Sequence, residues 1–196
     1  MIDIENIKKD MKTKVIGKNI LFFDEVNSTQ VKAKEFAEGK AENGTIVITE
    51  NQTNGIGTHG RNWYSEKGKN ITLTMILYPK CTIKELDGLT KEISECMIQA
   101  IWNICNIQAN MKEPNDIMLN NKKIGGILTQ IISNGENIRY LLIGIGIDVN
   151  GVDFPKELEE IATSLKNETK KEYSRENIIL EFCKIFEKSC IEKKII

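Results

Sequence analysis

A chain of 196 residues is long enough to form one domain with its own hydrophobic core. With 40% hydrophobic and 28% charged residues, the composition is that of an ordinary globular protein. The formal net charge of -1 provides no general basic field, which argues against a protein whose main role is to bind nucleic acid.

The N-terminal stretch, MIDIENIKKDMKTK, is charged and lacks the apolar segment of a signal peptide. No run elsewhere is long and apolar enough to cross a membrane, so we expect a cytoplasmic protein with no membrane partner. The five cysteines form no CxxC pair, which disfavours both a metal site and a disulfide framework.

Hydrophobic and β-branched patterning predicts the elements of the first half of the chain. They are a short charged helix over residues 3–13, a strand over 19–25, a helix over 30–38, and strands over 44–50 and 70–79. Asn27, Ser28 and Thr29 are residue types that cap helix N-termini, and Gly39 is a suitable C-terminal stop. Capping is the commoner role for Ser28, although a hydroxyl pair at a strand-to-helix corner also binds polar ligands.

The loop over residues 52–70 combines glycines with cationic side chains and a tryptophan. Its members include Gly55, Gly57, Gly60 and Gly68, with His59, Arg61, Lys67, Lys69 and Trp63. Glycine lets backbone N–H groups approach a ligand closely, so this composition is typical of an anion-binding loop. A long mobile hairpin loop is the alternative with about equal weight. The loop is neither a P-loop, since GxxxxGK[ST] is missing, nor a dinucleotide fingerprint, since a strand and not a helix follows.

In the second half, an apolar period of three and four over residues 87–105 predicts a helix packed on a sheet. Asn120-Asn121 predicts a tight turn, after which Lys123 begins a strand that carries Gly125 and Gly126. Paired glycines in a strand indicate either the close approach of a ligand or a bulge.

A second hairpin, with Asn134-Gly135 as its predicted turn, returns along a strand on which Gly144 and Gly146 alternate. The tail predicts a small helix over residues 154–168 and a long amphipathic helix headed by Ser174. Because strands joined by hairpins dominate the middle of the chain, we expect an α+β fold with a mixed, mainly antiparallel central sheet flanked by helices.

Four motifs occur in order along the chain. They are Asp24-Glu25-Val26-Asn27-Ser28-Thr29-Gln30; Gln52-x-x-Gly55-x-Gly57-x-x-Gly60-Arg61-x-Trp63; Lys112-x-Pro114-Asn115-Asp116 followed by Lys123-Ile124-Gly125-Gly126-Ile127-Leu128; and Gly144-x-Gly146-Ile147-x-Val149-Asn150. Together they resemble the catalytic domain of the biotin protein ligases, a branch of the biotin/lipoate protein ligase superfamily. The resemblance runs over roughly residues 15–190 and implies a class II synthetase-like catalytic domain.

The sequence departs from the family pattern at several positions. Ile56 and Thr58 stand where the glycine loop of the family has arginines, Glu113 replaces a tryptophan, and Asp148 replaces an asparagine. Neither the N-terminal helix-turn-helix of repressor-type members nor the small C-terminal β-barrel is recognisable. We therefore expect a single catalytic domain over residues 1–196, unless the chain is cut short at Ile196.

The resemblance implies a two-step reaction with ATP and Mg²⁺. Biotin would be activated as biotinyl-5′-AMP and then transferred to a lysine of the biotin carboxyl carrier protein of a biotin-dependent carboxylase. Lys123 would contact both carboxylate and phosphate, and Arg61 would bind phosphate oxygens. Asp116 is expected to orient or deprotonate the incoming amine and is also the candidate Mg²⁺ ligand.

The resemblance also assigns the remaining site residues. The biotin-binding set is Ser28, Thr29, Gln30, Gln52, Gly55, Gly57, Lys123 and Gly126. The set for ATP and the adenylate is Thr58, His59, Gly60, Arg61, Trp63, Asn115, Lys123, Gly144, Gly146 and Asp148. A solvated loop residue is the commoner role for His59, and a core or hinge position is the alternative for Trp63.

Three other functions compete with this interpretation. A lipoate or octanoate ligase of the same superfamily would lack ureido partners, so Ser28, Thr29 and Gln52 favour biotin. A biotin-dependent transcriptional regulator is disfavoured by the neutral charge, and a noncatalytic biotin-binding regulator by Lys123 and Arg61. The sequence is compatible with a homodimer but does not fix the oligomeric state. It also does not identify the acceptor enzyme.

Overall fold

The computed structural model describes residues 1–196. Its helices are α1 (Ile4–Asp10), α2 (Thr29–Glu38), α3 (Leu89–Cys105), α4 (Leu165–Thr169) and α5 (Arg175–Glu192). Its strands are β1 (Ile20–Val26), β2 (Ile46–Gln52), β3 (Ile71–Leu77), β4 (Asn110–Lys112), β5 (Asp116–Leu119), β6 (Lys122–Asn134) and β7 (Asn137–Ile147). Short 3₁₀ turns cover Thr58–Gly60 and Ile83–Leu86. None of the helices combines the length and the apolar composition needed to cross a bilayer.

The seven strands form one sheet in the order β1-β2-β3-β7-β6-β5-β4. Only β1 and β2 pair in parallel, because α2 carries the chain from the end of one strand to the start of the other. All other neighbours are antiparallel. The predicted α+β fold with a mixed, mainly antiparallel sheet is therefore confirmed.

The two faces of the sheet have different coverings. On one face, β-strand side chains such as Ile46 and Ile48 join residues of α1, α3 and α5 in the main hydrophobic core. On the other face, Val47, which alternates with them, packs in a smaller cluster with Ala33 and Ala37 of α2. Because α2 is short, the rest of this second face is free to form a binding site.

The predicted caps and turns agree with the structure in most places. The Ser28 side chain accepts a hydrogen bond from the Gln30 N–H and caps α2, and Ser174 does the same for α5. Asn120 and Asn121 both have positive φ, 49° and 65°, as a two-residue hairpin turn requires. The second hairpin turns one residue later than predicted, because Asn134 still pairs with Asn137 and belongs to the ladder.

The predicted small helix over residues 154–168 is wrong for most of its length. Only Leu165–Thr169 is helical. The preceding segment instead runs beside Lys123, whose backbone N–H donates to Ile161 O at 2.8 Å and whose carbonyl accepts from Thr163 N at 2.8 Å. This strand-like pairing takes up backbone groups that a helix would need.

Candidate active site

A strip of glycines and small threonine side chains crosses the second face of the sheet. In the strand ladder Thr72 pairs with Gly146, Thr74 pairs with Gly144, and Gly126 also pairs with Gly146. A Cβ atom on Gly146 would lie 2.4 Å from the Trp63 ring, and one on Gly144 would lie 2.6 Å from Gln30 Oε1. Glycine is therefore required at position 146 by the rigid indole ring, whereas at position 144 the flexible end of Gln30 would have to move.

A first cavity lies above this strip. Its polar end is formed where β1 meets α2, by Ser28, Thr29 and Gln30, together with Gln52 from the end of β2. Gln52 Oε1 accepts hydrogen bonds from the backbone N–H of Thr29 at 2.8 Å and from its hydroxyl at 3.1 Å. The apolar side chains on its other sides are Ile56, Trp63 and Leu128, whereas Leu73, Ile127 and Ile145 border it through their backbone and point into the main core. The cavity therefore suits a ligand with a polar head and an apolar body.

A second cavity lies next to the first. Its cationic side is formed by Arg61, Lys112 and Lys123. Its apolar side consists of Tyr64, Met118, Phe154, Leu158, Ile161 and Ala162, most of which belong to the loop before α4. Tyr64 and Phe154 also pack against each other with ring centroids 6.3 Å apart. Cations facing an apolar and aromatic wall suit a ligand with an anionic group and a flat ring.

The two cavities meet at Lys123 and Trp63, which line both, as do Gly57 and Thr58. Lys123 Nζ lies 2.5 Å from Asp116 Oδ1 and 5.5 Å from the centroid of the Trp63 ring. The indole N–H of Trp63 is buried and has no hydrogen-bond partner. A charge shared by both cavities marks the place where two bound groups would meet.

Asp148 contributes a second carboxyl group to the second cavity, but in a different environment from Asp116. It is buried, and Asn70 Nδ2 donates a hydrogen bond to its Oδ1 at 2.8 Å. Burial raises the pKa of Asp148 well above its usual value; the nearby Glu66 acts in the same direction and Lys123 opposes it. No three His, Cys, Asp or Glu side chains come together as metal ligands.

The glycine loop is folded back on itself above the cavities. Gly57 N donates to Arg61 O at 2.7 Å, and Trp63 N donates to Gly55 O at 2.9 Å. Arg61 is turned toward the loop, because its Nη2 donates to Thr58 Oγ1 at 3.0 Å. A Cβ on Gly55 would lie 2.4 Å from the carbonyl oxygen of Trp63, so this turn requires glycine.

Most of the residues singled out from the sequence come together here. The first cavity is lined by Ser28, Thr29, Gln30, Gln52, Gly57, Lys123 and Gly126, and also by Asn115, Gly144 and Gly146, which the resemblance assigns to the nucleotide. The second is lined by Thr58, Arg61, Trp63, Asp116, Lys123 and Asp148. Gly55 lies beneath Trp63 and lines neither cavity, and the exposed residues His59 and Gly60 also line neither.

Sequence reasoning missed several lining residues. Thr72 and Thr74 are polar members of the first cavity, and their signal is the alternation of threonine with apolar residues in the strand ITLTMIL. Lys112 lines the second cavity, although the motif that contains it does not assign it a role. Phe154, Leu158 and Ile161 gave no signal, because their segment has the pattern of a small helix.

Comparisons with known proteins agree with one another. The sequence model of the Biotin/lipoate A/B protein ligase family matches residues 22–148. The "Bifunctional ligase/repressor BirA" of Bacillus spizizenii is 38% identical over 184 residues, which is 93% of this chain and 57% of that protein. The "Biotin--[acetyl-CoA-carboxylase] ligase" of Paracoccus denitrificans is 28% identical over 73% of this chain and 61% of that protein. The chain thus spans somewhat more than half the length of these curated relatives.

Solved structures show the same fold. The biotin protein ligase of Aquifex aeolicus in complex with biotin and ATP has a TM-score of 0.78 and 30% identity, covering 90% of this chain and 72% of that one. The biotin protein ligase of Leishmania major in complex with biotinyl-5-AMP has a TM-score of 0.74 and 27% identity, covering 89% of this chain and 75% of that one.

Proposed function

The chain belongs to the Biotin/lipoate A/B protein ligase family, and from that membership we propose that it is an ATP-dependent biotin ligase. It activates biotin as biotinyl-5′-AMP and transfers it to a lysine of a biotin carboxyl carrier protein, acting in the cytoplasm. The observation that carries the proposal is the pair of cavities that meet at Lys123 and Trp63. Such a pair accommodates the two halves of an acyl-adenylate on either side of the bond that joins them.

The first cavity supports biotin as the acyl substrate. Ser28, Thr29 and Gln52 supply hydroxyl and amide groups at its polar end, and a ureido ring needs both donors and acceptors. A lipoyl or octanoyl group would leave these buried polar groups without partners, which costs about 1–3 kcal/mol per group. The apolar walls then suit the thiophane ring and the valeryl chain.

In the first step, an oxygen of the biotin carboxylate attacks the α-phosphorus of ATP. An O–P bond forms, the bond to the leaving pyrophosphate breaks, and the product is a mixed anhydride. Lys123 offsets the charge of both anions, since its Nζ lies at the junction of the cavities. Arg61 adds a cation from the glycine loop after it releases Thr58.

In the second step, the amine of the acceptor lysine attacks the acyl carbon of the adenylate, and AMP leaves. The acceptor lysine must first lose a proton. Asp116 is the carboxylate at the junction and is proposed to orient this amine and receive the proton. Its ion pair with Lys123 must loosen as the amine arrives.

Mg²⁺ is proposed to enter with the phosphates of ATP and to neutralise part of their charge. Mg²⁺ typically binds one or two protein carboxylates and completes its shell with phosphate and water, so one carboxylate from this chain is sufficient. Asp116 fits this role by its chemistry and its place in the second cavity.

The test is ATP–pyrophosphate exchange with biotin, lipoate or octanoate as the acid, followed by transfer to a biotin carrier domain. Exchange that depends on biotin and biotin appearing on the carrier lysine are expected. Exchange with lipoate or octanoate and none with biotin would overturn the assignment of the substrate.

Lys123→Ala is the matched loss-of-function variant. It should lower the exchange rate by a factor of about 10² or more, because it removes the charge shared by both cavities. Lys122→Ala is the control, since Lys122 is adjacent, donates only to Glu159 O and lines neither cavity. Thermal unfolding should change by no more than about 1 kcal/mol in either variant. Equal rates for the two variants would remove Lys123 from the mechanism.

A further inference from the structure

The polar end of the first cavity contains a chain of three hydrogen-bonded side chains. Thr74 Oγ1 lies 2.9 Å from Thr29 Oγ1, which lies 3.1 Å from Gln52 Oε1. Thr74 is 0% exposed and Thr29 is 3% exposed, so neither hydroxyl can exchange its partner for bulk water. The direction of the hydrogens along this chain therefore decides what the cavity offers to a ligand.

The backbone fixes that direction. The Thr29 N–H also reaches Gln52 Oε1, at 2.8 Å, and a backbone N–H can only donate. The Gln52 atom must therefore be the amide oxygen, which accepts from the Thr29 hydroxyl as well. Since Thr29 has a single hydroxyl hydrogen and it points to Gln52, the hydrogen between Thr29 and Thr74 belongs to Thr74. The same Thr74 hydroxyl lies 3.1 Å from Gln30 Oε1, a second acceptor.

This arrangement gives the cavity a defined pattern of donors and acceptors. Thr29 Oγ1 has a free lone pair and no free hydrogen, so it can only accept from a ligand. Ser28 Oγ already accepts from the Gln30 N–H at 3.2 Å, which leaves its own hydrogen free to donate. The Gln52 amide nitrogen lies at the other end of the same amide, beside Gly55. One acceptor and one donor at the polar end complement a cyclic urea, which has N–H donors and a carbonyl acceptor.

We propose that Thr74 is a positioning residue for ureido recognition: by donating to Thr29, it occupies one lone pair of Thr29 Oγ1 and fixes the direction of the other, which accepts from a ureido N–H. The inference rests on the proposed function and deepens it. Thr74 borders the cavity, but its one hydroxyl hydrogen is directed to Thr29 and Gln30, so it acts through Thr29 and not on the ligand. The ureido specificity of the site thus depends on a strand β3 residue behind the motif that carries Ser28 and Thr29.

Thr74→Val removes the hydroxyl and keeps the shape of the side chain. The Thr29 hydroxyl still donates to Gln52, but it loses the donor that fixes the direction of its free lone pair. We expect the KM for biotin to rise about fivefold to tenfold, as for the loss of one hydrogen bond. The kcat should change by less than about twofold, because the ureido ring is remote from the reacting carboxylate and is bound equally in ground and transition states. The KM for ATP should not change.

The experiment measures biotin-dependent ATP–pyrophosphate exchange for the wild type, Thr74→Val, Thr74→Ser and Thr49→Val. Thr74→Ser keeps a hydroxyl and should restore a KM for biotin close to that of the wild type. Thr49→Val is the structural control, because Thr49 is a strand threonine with 2% exposure that lines neither cavity. Thermal unfolding of each variant separates loss of folding from loss of binding, and Thr74→Ala replaces the valine variant if the latter does not fold.

The outcomes separate this inference from the proposed function. A wild type without biotin-dependent exchange would refute the proposed function itself. An active wild type with the same KM for biotin in Thr74→Val, Thr74→Ser and Thr49→Val would refute only the role of Thr74. A rise in KM confined to the variants that lack the Thr74 hydroxyl is the expected result.

Discussion

Two acidic residues of the second cavity show how burial assigns different properties to the same functional group. Asp116 is paired with Lys123 at 2.5 Å and remains partly exposed. Asp148 is buried with one neutral donor, Asn70, and its pKa is raised by the loss of hydration. A protonated carboxyl group has a donor atom on one side and a carbonyl oxygen that accepts on the other, as a side-chain amide does. An aspartate in this environment can therefore take the place of the asparagine that the family motif leads one to expect.

Asp148→Asn should therefore stabilise the protein, and more strongly at high pH. A buried acid with a raised pKa binds its proton more tightly in the folded state, so its contribution to the free energy of unfolding falls as pH rises from the unfolded pKa through the folded one. Asparagine has no such penalty. Urea denaturation at pH 5 and pH 8 should show a larger stability difference between variant and wild type at pH 8.

Asp153→Asn is the control for this pH dependence, because Asp153 is exposed. It should leave the pH profile of unfolding as in the wild type. If Asp148→Asn and the wild type lose stability in parallel between the two pH values, Asp148 does not carry a buried proton.

At the scale of elements, the sequence predicted those structures that depend on local chemistry. The turn at Asn120-Asn121 was predictable because both residues tolerate positive φ, and the cap at Ser28 because its hydroxyl competes for nearby N–H groups. The segment over residues 154–168 was not, since its pairing with Lys123 is a tertiary contact that no local pattern contains. The division of the site into two cavities likewise depends on where the glycine loop places Trp63.

The glycine loop should close only when the cavities are filled. Residues 53–69 have few apolar anchors, and the buried indole N–H of Trp63 has no partner, so the closed loop is expected to open readily without ligand. Limited trypsin digestion should cut after Arg61 and Lys67 in the free protein, and biotin with ATP should slow these cuts by at least about tenfold. Cleavage at Lys193 and Lys194 is the internal control, and unchanged loop cleavage at saturating ligand would contradict closure.

At the scale of the whole molecule, the C-terminal helix is tied to the base of the glycine loop. Arg175, the first residue of α5, donates from Nη1 to Glu50 Oε2 at 2.6 Å and to the carbonyl of Asn70 at 3.1 Å. Glu50 lies near the end of β2 and Asn70 just before β3, so the two ends of the loop share one guanidinium. Asn70 in turn binds Asp148 in the second cavity. The sequence motifs contain most of the residues that line the two cavities, but this connection joins positions 125 residues apart and no motif contains it.

Breaking this ion pair should destabilise the whole domain. Glu50 and Arg175 are 5% and 6% exposed, and burial alone would raise the pKa of Glu50, yet hydrogen bonds from Arg175 and the Ile2 N–H hold it below its usual value. Arg175→Met leaves this carboxylate buried without its charged partner, which should cost about 3–5 kcal/mol in urea denaturation. Lys188→Met is the matched control on the same helix, because its exposed pair with Glu192 should contribute less than about 1 kcal/mol. Adding Glu50→Gln to Arg175→Met should recover part of the loss, since it removes the unpaired charge. A loss below about 1 kcal/mol in Arg175→Met would mean that solvent or a neighbouring cation replaces the guanidinium, and that α5 does not hold the base of the loop.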